Sequence, residues 1–226
     1  MSEREPYNPL AAENLGVSVA QALLKERLEP LKELRPFKGA GIYAIYYGGP
    51  FPEYKPLTSR GRDGQLLHPI YVGKAIPKGR RKGKIQPDSG AGNSLYKRIE
   101  EHVESIEAAK SNLNIDDFQF RSLIVDTLFI SLGESLLIAK YAPLWNQVVD
   151  GFGNHDPGRG RHKSKRPRWD VVHPGRAWAA KCEDRGETSA QILREVAAHF
   201  RSETIPRGTP EALLDLTDPS EERDEK

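Results

Sequence analysis

Residues 41–47 read GIYAIYY and residues 68–73 read HPIYVG. Each is a short β-branched and aromatic run closed by chain-bending residues, Gly48-Gly49-Pro50 in the first case and a Gly-rich basic stretch after Gly73 in the second, so both predict strands. Working outward, Asn93 or Ser94 caps a helix running to about Ala109, with Leu95, Ile99, Val103 and Ile106 as its buried stripe. Arg98 and His102 sit one turn apart on it and can act on the same object. Phe118, Phe120, Ser122 and Ile124 alternate with Gln119, Arg121, Leu123 and Val125, which predicts a mostly buried strand before Asp126 opens another helix. That helix, TLFISLGESLLIA at 127–139, is apolar nearly all round and stops before Pro143, so it reads as an interior one. Upstream, residues 10–34 predict a helix through Leu15, Val19, Leu23 and Leu24 that Pro30 interrupts. Downstream, Thr188 or Ser189 caps an amphipathic helix bearing Ile192, Val196 and Phe200; a shorter helix is expected near Pro210–Leu216, and residues 218–226 are expected to lack fixed structure.

The chain has 226 residues, enough for one compact domain with extensions or two small ones. No run approaches eighteen uncharged apolar residues, and the opening MSEREPYNPL has no apolar signal-peptide core, so neither a membrane partner nor secretion is expected. The single cysteine, Cys182, excludes a disulfide framework and a cysteine-rich zinc site and makes the reducing cytoplasm the expected setting. Lys and Arg number 34 against 32 Asp and Glu, a near balance that hides an asymmetry. Residues 183–226 hold twelve acidic and six basic side chains, which leaves +8 on residues 1–182. The positive charge gathers in two clusters, one at Lys74, Lys78, Arg80, Arg81, Lys82 and Lys84, the other at Arg159, Arg161, Lys163, Lys165, Arg166, Arg168, Arg176 and Lys181. Such clusters attract a phosphate backbone, although two solvated loops would have the same composition. In GFGNHDPGRGRHKSKRPRW, from residue 151 to 169, Phe152 and Trp169 interleave with the basic residues, which suits nucleic acid.

Glu134 is the one ionisable residue of the apolar 127–139 segment. An unpaired carboxylate in such a setting costs several kcal/mol and therefore needs a partner. It is either a structural ion pair or a metal-binding or catalytic group.

Taken together, Gly41-Ile42-Tyr43, Tyr71-Val72-Gly73, Arg98 and His102 on one helix, Glu134 on an apolar helix and Asn146 after Pro143 resemble the GIY-YIG nucleases. The resemblance covers roughly residues 38–150, with Val72 where the family name has isoleucine and a longer gap between the tripeptides than the family's shortest members. It implies an α/β (α+β) fold, a small mixed or antiparallel sheet flanked by helices at 38–150 with insertions at 48–67 and 74–92; the residues outside it read as an N-terminal helical arm at 1–37, a basic DNA-contacting loop region at 151–182 and C-terminal helices with an acidic tail at 183–226. The insertions and GFGNHDPG look like those Type II restriction endonucleases of the family that cut a GC-rich six-base palindrome such as CCGCGG as homodimers.

The resemblance further implies that Tyr43, Tyr71, Arg98, His102, Glu134 and Asn146 form the catalytic set. Glu134 would be the single protein ligand of one hydrated Mg²⁺ per active site. Tyr43 would take the proton of the attacking water; a free phenol near pKa 10 is a poor base, so it needs nearby positive charge or a relay through His102. Tyr71 would position water or phosphate, Arg98 would hold a phosphate oxygen, and Asn146 would order the site by hydrogen bonding. Lys74, Arg80, Arg81, Lys82, Arg159, Arg161, Lys163, Arg166 and Arg168 are the expected contacts to double-stranded DNA. Two other readings remain open at this point: a repair or mobile-element nuclease of the same fold, and a DNA-binding module that has lost cleavage.

Overall fold

The computed structural model describes residues 8–77, 92–156 and 163–201. Four strands, β1 (Glu29–Pro30), β2 (Gly41–Tyr47), β3 (Pro69–Ala75) and β4 (Phe118–Ile124), form one antiparallel sheet in the order β1-β4-β2-β3. Around it lie helices α1 (Ala12–Lys25), α2 (Ser94–Ala108), α3 (Thr127–Tyr141), α4 (Leu144–Gln147), α5 (Arg168–Val172) and α6 (Ser189–Arg201). Successive side chains of a strand point to opposite faces, and β2 uses both. Ile42, Ala44 and Tyr46 pack with Leu23 of α1 and with Ile130 and Leu137 of α3, while Tyr43, Ile45 and Tyr47 pack with Ile99, Trp145, Trp169 and Ile192 from α2, α4, α5 and α6. Every residue of β2 is buried, which explains why it reads as a continuous apolar and aromatic run instead of an alternating one.

The structure corrects several expectations. The N-terminal helix stops at Lys25, five residues before Pro30: Glu26 is already extended, and Glu29–Pro30 add β1 to the edge of β4. Residues 48–67 are an ordered part of the core: a 3-10 segment at Pro52–Thr58 buries Tyr54 and Leu57, and Arg60 bridges to Leu66. The second expected insertion starts inside a strand, since Lys74 and Ala75 belong to β3; residues 78–91 lie outside the described residues, as do 157–162 and 202–226. Helix α3 is not enclosed: Ile130, Gly133, Leu137 and Tyr141 face inward while Leu128 is 74% exposed, and Ile124 at the end of β4 is exposed as well. Gly133 is needed because a Cβ there would collide with Val19 and Ile42, so it sets how closely α1 and the sheet approach α3. Asp126 caps α3 through Leu128 N, and Thr188 with Gln191 forms a reciprocal cap on α6. No helix among the described residues is long and apolar enough to cross a membrane.

The core does not end at residue 150. Phe152, Trp169, Val172, Ile192 and Val196 belong to the same cluster as Tyr43 and Tyr71, so the two aromatics expected to meet nucleic acid are buried. A buried chain of hydrogen bonds ties residues 48–67 to this C-terminal part. Trp145 Nε1 donates to Tyr54 Oη (3.1 Å), and Tyr54 Oη lies 2.7 Å from His173 Nε2. His173 Nδ1 lies 3.0 Å from Asn112 Oδ1, whose amide nitrogen donates to Val172 O. Asn112 Oδ1 can only accept, which makes Nδ1 the protonated nitrogen and Nε2 the acceptor of the Tyr54 hydroxyl.

Burial holds His173 down from 6.5 to about 3. The unfolded chain therefore binds a proton near pH 6.5 that the folded chain refuses, so this stabilisation is complete above pH 6.5 and is lost as pH falls below it. Between pH 6.5 and 4.5 the loss amounts to roughly 2–3 kcal/mol. Thermal melts across that interval should show it. His173→Gln, less stable at pH 7, should melt with a visibly flatter acid limb.

Candidate active site

Four side chains from three elements meet on the α2 side of the sheet. Tyr43 of β2 and Tyr71 of β3 have ring centroids 6.2 Å apart, and the His102 ring of α2 lies 5.5 Å from the first and 5.1 Å from the second. Tyr43 Oη and His102 Nε2 are 2.6 Å apart in a fully buried hydrogen bond. Burial, and then the neighbouring Tyr71, pushes the Tyr43 phenol well above its usual 10, more than the opposing pull of Arg98. Burial, and then the charge of Arg98, pushes His102 well below 6.5. The resting pair is therefore a phenol donating its O–H to a neutral imidazole. Burial also raises Tyr71, again against the pull of Arg98, so Arg98 acts electrostatically on both phenols.

Glycine makes room for these oxygens. Gly73 pairs with Tyr43 across β2 and β3, and a Cβ at Gly73 would overlap the Tyr43 phenol oxygen. A Cβ at Gly153 would overlap the oxygen of Tyr71. Arg98 donates from Nη2 to Gly153 O (2.7 Å) and from Nη1 to Glu101 (3.0 Å), and it also touches His155. Phe152 stacks flat on His102 at 4.3 Å and 19° and meets Tyr71 edge-on at 5.0 Å. Beside them opens a cavity of about 870 Å³ whose lining includes Lys74, Lys97, Arg98, Glu101, His155 and Asp156. Another cavity, about 650 Å³, lies at the β1–β4 edge and touches none of these groups.

Asn146 acts on backbone. Its Oδ1 accepts from Val72 N (2.8 Å) and its Nδ2 donates to Val72 O (2.9 Å), replacing the neighbour that edge strand β3 lacks and fixing the residue between Tyr71 and Gly73. Glu134 reaches β3 from α3: its Oε2 is 2.6 Å from Lys74 Nζ, which also donates to Ser131 Oγ (3.2 Å). The Glu134 side chain keeps 16% of its surface accessible, and its charge acts on Tyr71. Among the described residues no three acidic, histidine or cysteine side chains group to hold a metal, so Glu134 fits only a cation that draws its other ligands from water or substrate.

The expected DNA contacts fare differently. Arg80, Arg81, Lys82, Arg159 and Arg161 lie outside the described residues. Lys163 is exposed, and Arg166 pairs with Asp184 at 3.1 Å. Arg168 is held by Glu187 and Glu195 and donates to Val148 O, so it braces α4 and α6 from inside rather than facing outward. Sequence reasoning did not pick out Phe152, Gly153 or Glu101 for this site, and it placed Arg176 among exposed bases although Arg176 is buried. The only available signal was the pair of glycines flanking Phe152.

No curated protein matches the chain. A family model does, that of the Eco29kI GIY-YIG domain, over residues 35–200. The match spans the whole sheet from β2 onward and continues past residue 150 through the segment that covers His102 and Tyr71. The chain therefore belongs to the Eco29kI GIY-YIG domain family, a family of Type II restriction endonucleases, and is a nuclease.

Proposed function

We propose that this nuclease is a Type II restriction enzyme that hydrolyses both strands of a specific GC-rich palindrome in double-stranded DNA, CCGCGG being the candidate. The observation that carries the reading is the buried Tyr43–His102 hydrogen bond with Tyr71 and Arg98 gathered around it, Arg98 also lining the adjacent cavity together with Lys74 and Lys97. A symmetric site calls for two symmetric active centres, hence a homodimer on DNA. The expected setting is the cytoplasm. Lys163 and Arg166, with Arg159 and Arg161, are the candidate base and phosphate contacts of the second basic cluster.

Hydrolysis needs an activated water and neutralisation of the charge growing on the phosphate. A free tyrosinate is too costly at the buried Tyr43. A shuttle avoids it: as the water's proton reaches Tyr43 Oη, the phenol's own proton passes along the 2.6 Å bond to His102 Nε2. Burial and Arg98 oppose the imidazolium so formed, so it is transient and is offset only as negative charge develops on the phosphate. Arg98 keeps its Nη2 bond to Gly153 O and offers its other donors to a phosphate oxygen, and Tyr71 holds the phosphate or water in line. Glu134 is the residue that would hold one hydrated Mg²⁺, in competition with Lys74. When bound, that ion supplies positive charge to the phosphate and to the departing 3′ oxygen.

Plasmid DNA incubated with the protein and Mg²⁺ should give discrete bands with uniform ends. A smear, or preference for branched DNA, would instead favour a repair or mobile-element nuclease, and binding without cutting would favour a non-catalytic module. Within the site, Gly73→Ala should slow cutting by about 10²-fold at saturating DNA, because displacing the Tyr43 oxygen by about an ångström has that order of cost. Unchanged single-turnover rates in Gly73→Ala would remove Tyr43 from the reaction.

A further inference from the structure

We infer that Arg176, anchored by Asp170, is a positioning residue that sets His102, Tyr71 and Arg98 by gripping the turn at residues 151–154; the inference rests on the nuclease reading above. Arg176 Nε donates to Asp170 Oδ1 (2.7 Å) and Nη2 to Asp170 Oδ2 (2.5 Å). Nη1 donates to Phe152 O (3.0 Å) and Asn154 O (3.1 Å), and Nη2 to Gly151 O (2.9 Å). A guanidinium has five N–H donors, and all five are used inside the protein. The group is also stacked over Trp169 and Trp178, at 4.6 and 4.7 Å. Such a residue has nothing left to offer a phosphate. Three of its five bonds instead fix one turn, at the carbonyls of Gly151, Phe152 and Asn154.

That turn touches the site at three points. Phe152 stacks on His102 and meets Tyr71, Gly153 O receives Arg98, and the bare Cα of Gly153 admits the Tyr71 oxygen. The side chains of Arg176 and Asp170 keep only 4% and 2% of their surface. A buried ion pair is weak support for stability in general. Here its geometry has another consequence, since only a planar fork can meet a carboxylate and three carbonyls at once.

Arg176→Lys keeps the charge opposite Asp170 and has too few donors to hold the turn. Two measurements decide the matter. One is the single-turnover cleavage rate at saturating DNA. The other is the titration of the His102 imidazole by NMR in the protein without DNA or metal. His102 is faced by Tyr43 from β2, Tyr71 from β3, Arg98 from its own helix, and His155 and Arg176 from the segment after α4. None of these except position 176 changes, and its charge is retained.

The expected result is a folded variant that binds DNA within about threefold of the parent, cuts about 30- to 100-fold more slowly, and shows His102 titrating closer to 6.5 as the Phe152 cover loosens. A parental rate overturns the inference, and so does a slower rate with His102 unmoved, because the effect would then bypass the turn. Should Arg176→Lys fail to fold, Asp170→Asn, nearly isosteric and with Arg176 in place, is judged by the same two outcomes. If the parent cuts no DNA while His102 still shifts in the variant, the nuclease chemistry fails and the grip on the turn stands.

Discussion

Glu134→Ala is expected to abolish cleavage, a loss of at least about 10⁴-fold or some 5 kcal/mol of transition-state stabilisation, while DNA binding persists. The size follows from the composition of the site. Among the described residues no cluster of carboxylates or imidazoles could take over the cation. Removing Glu134 also removes a negative charge near the phosphate path and releases Lys74, whose side chain is 34% accessible and can solvate itself, so neither folding nor DNA affinity should suffer. Glu134→Gln separates charge from shape and should behave like the alanine variant. Gel shift in Ca²⁺ measures binding, and plasmid cutting in Mg²⁺ or Mn²⁺ measures the reaction. Cutting at the parental rate in either variant would leave Glu134 as a structural partner of Lys74 only. Lys74→Met adds a second check: with its competitor gone, Glu134 should bind Mn²⁺ more tightly in the absence of DNA.

The sequence was legible where one element carried its own signal. The apolar runs of β2 and β3 marked two paired strands of the sheet, Asp126 marked the start of α3, and the one-turn spacing of Arg98 and His102 put both at the site. It was not legible where meaning depended on a distant partner. Glu134 finds Lys74 sixty residues earlier, and nothing local says whether that contact or a cation satisfies the carboxylate. Arg168 and Arg176 have the composition of a solvated basic loop, yet acidic residues and backbone carbonyls around them turn both inward. Phe152 and Trp169 sit among bases in the chain and among aromatics in space. The apolar helix α3 misled for the opposite reason, since Leu128 remains at the surface and only the small Ser131 and Ser135 mark that face as the outer one.

The same contrast separates the sequence-level account of Tyr43 from the structural one. An exposed phenol would need only a cation nearby to become a base, but a fully buried one is pushed the other way and depends on its hydrogen-bond partner. Tyr43→Phe, which removes one oxygen and keeps the ring, should therefore cost about 10³-fold in single-turnover rate, some 4 kcal/mol, with the melting temperature within a few degrees of the parent. His102→Gln should lose a comparable factor, and the double variant should lose little more than either single one, since both serve a single proton path. Tyr71→Phe, outside that path, should combine with Tyr43→Phe nearly additively.

The pH dependence follows from the same two groups. His102 is held well below 6.5 and Tyr43 well above 10, so kcat/KM for the free enzyme should stay flat with respect to this pair from pH 6.5 to 10, and its acid limb should appear only below 6.5. A limb centred near 6.5 would mean that His102 is hydrated rather than covered. Additive losses in the Tyr43 and His102 double variant would mean that the two residues do not share a proton.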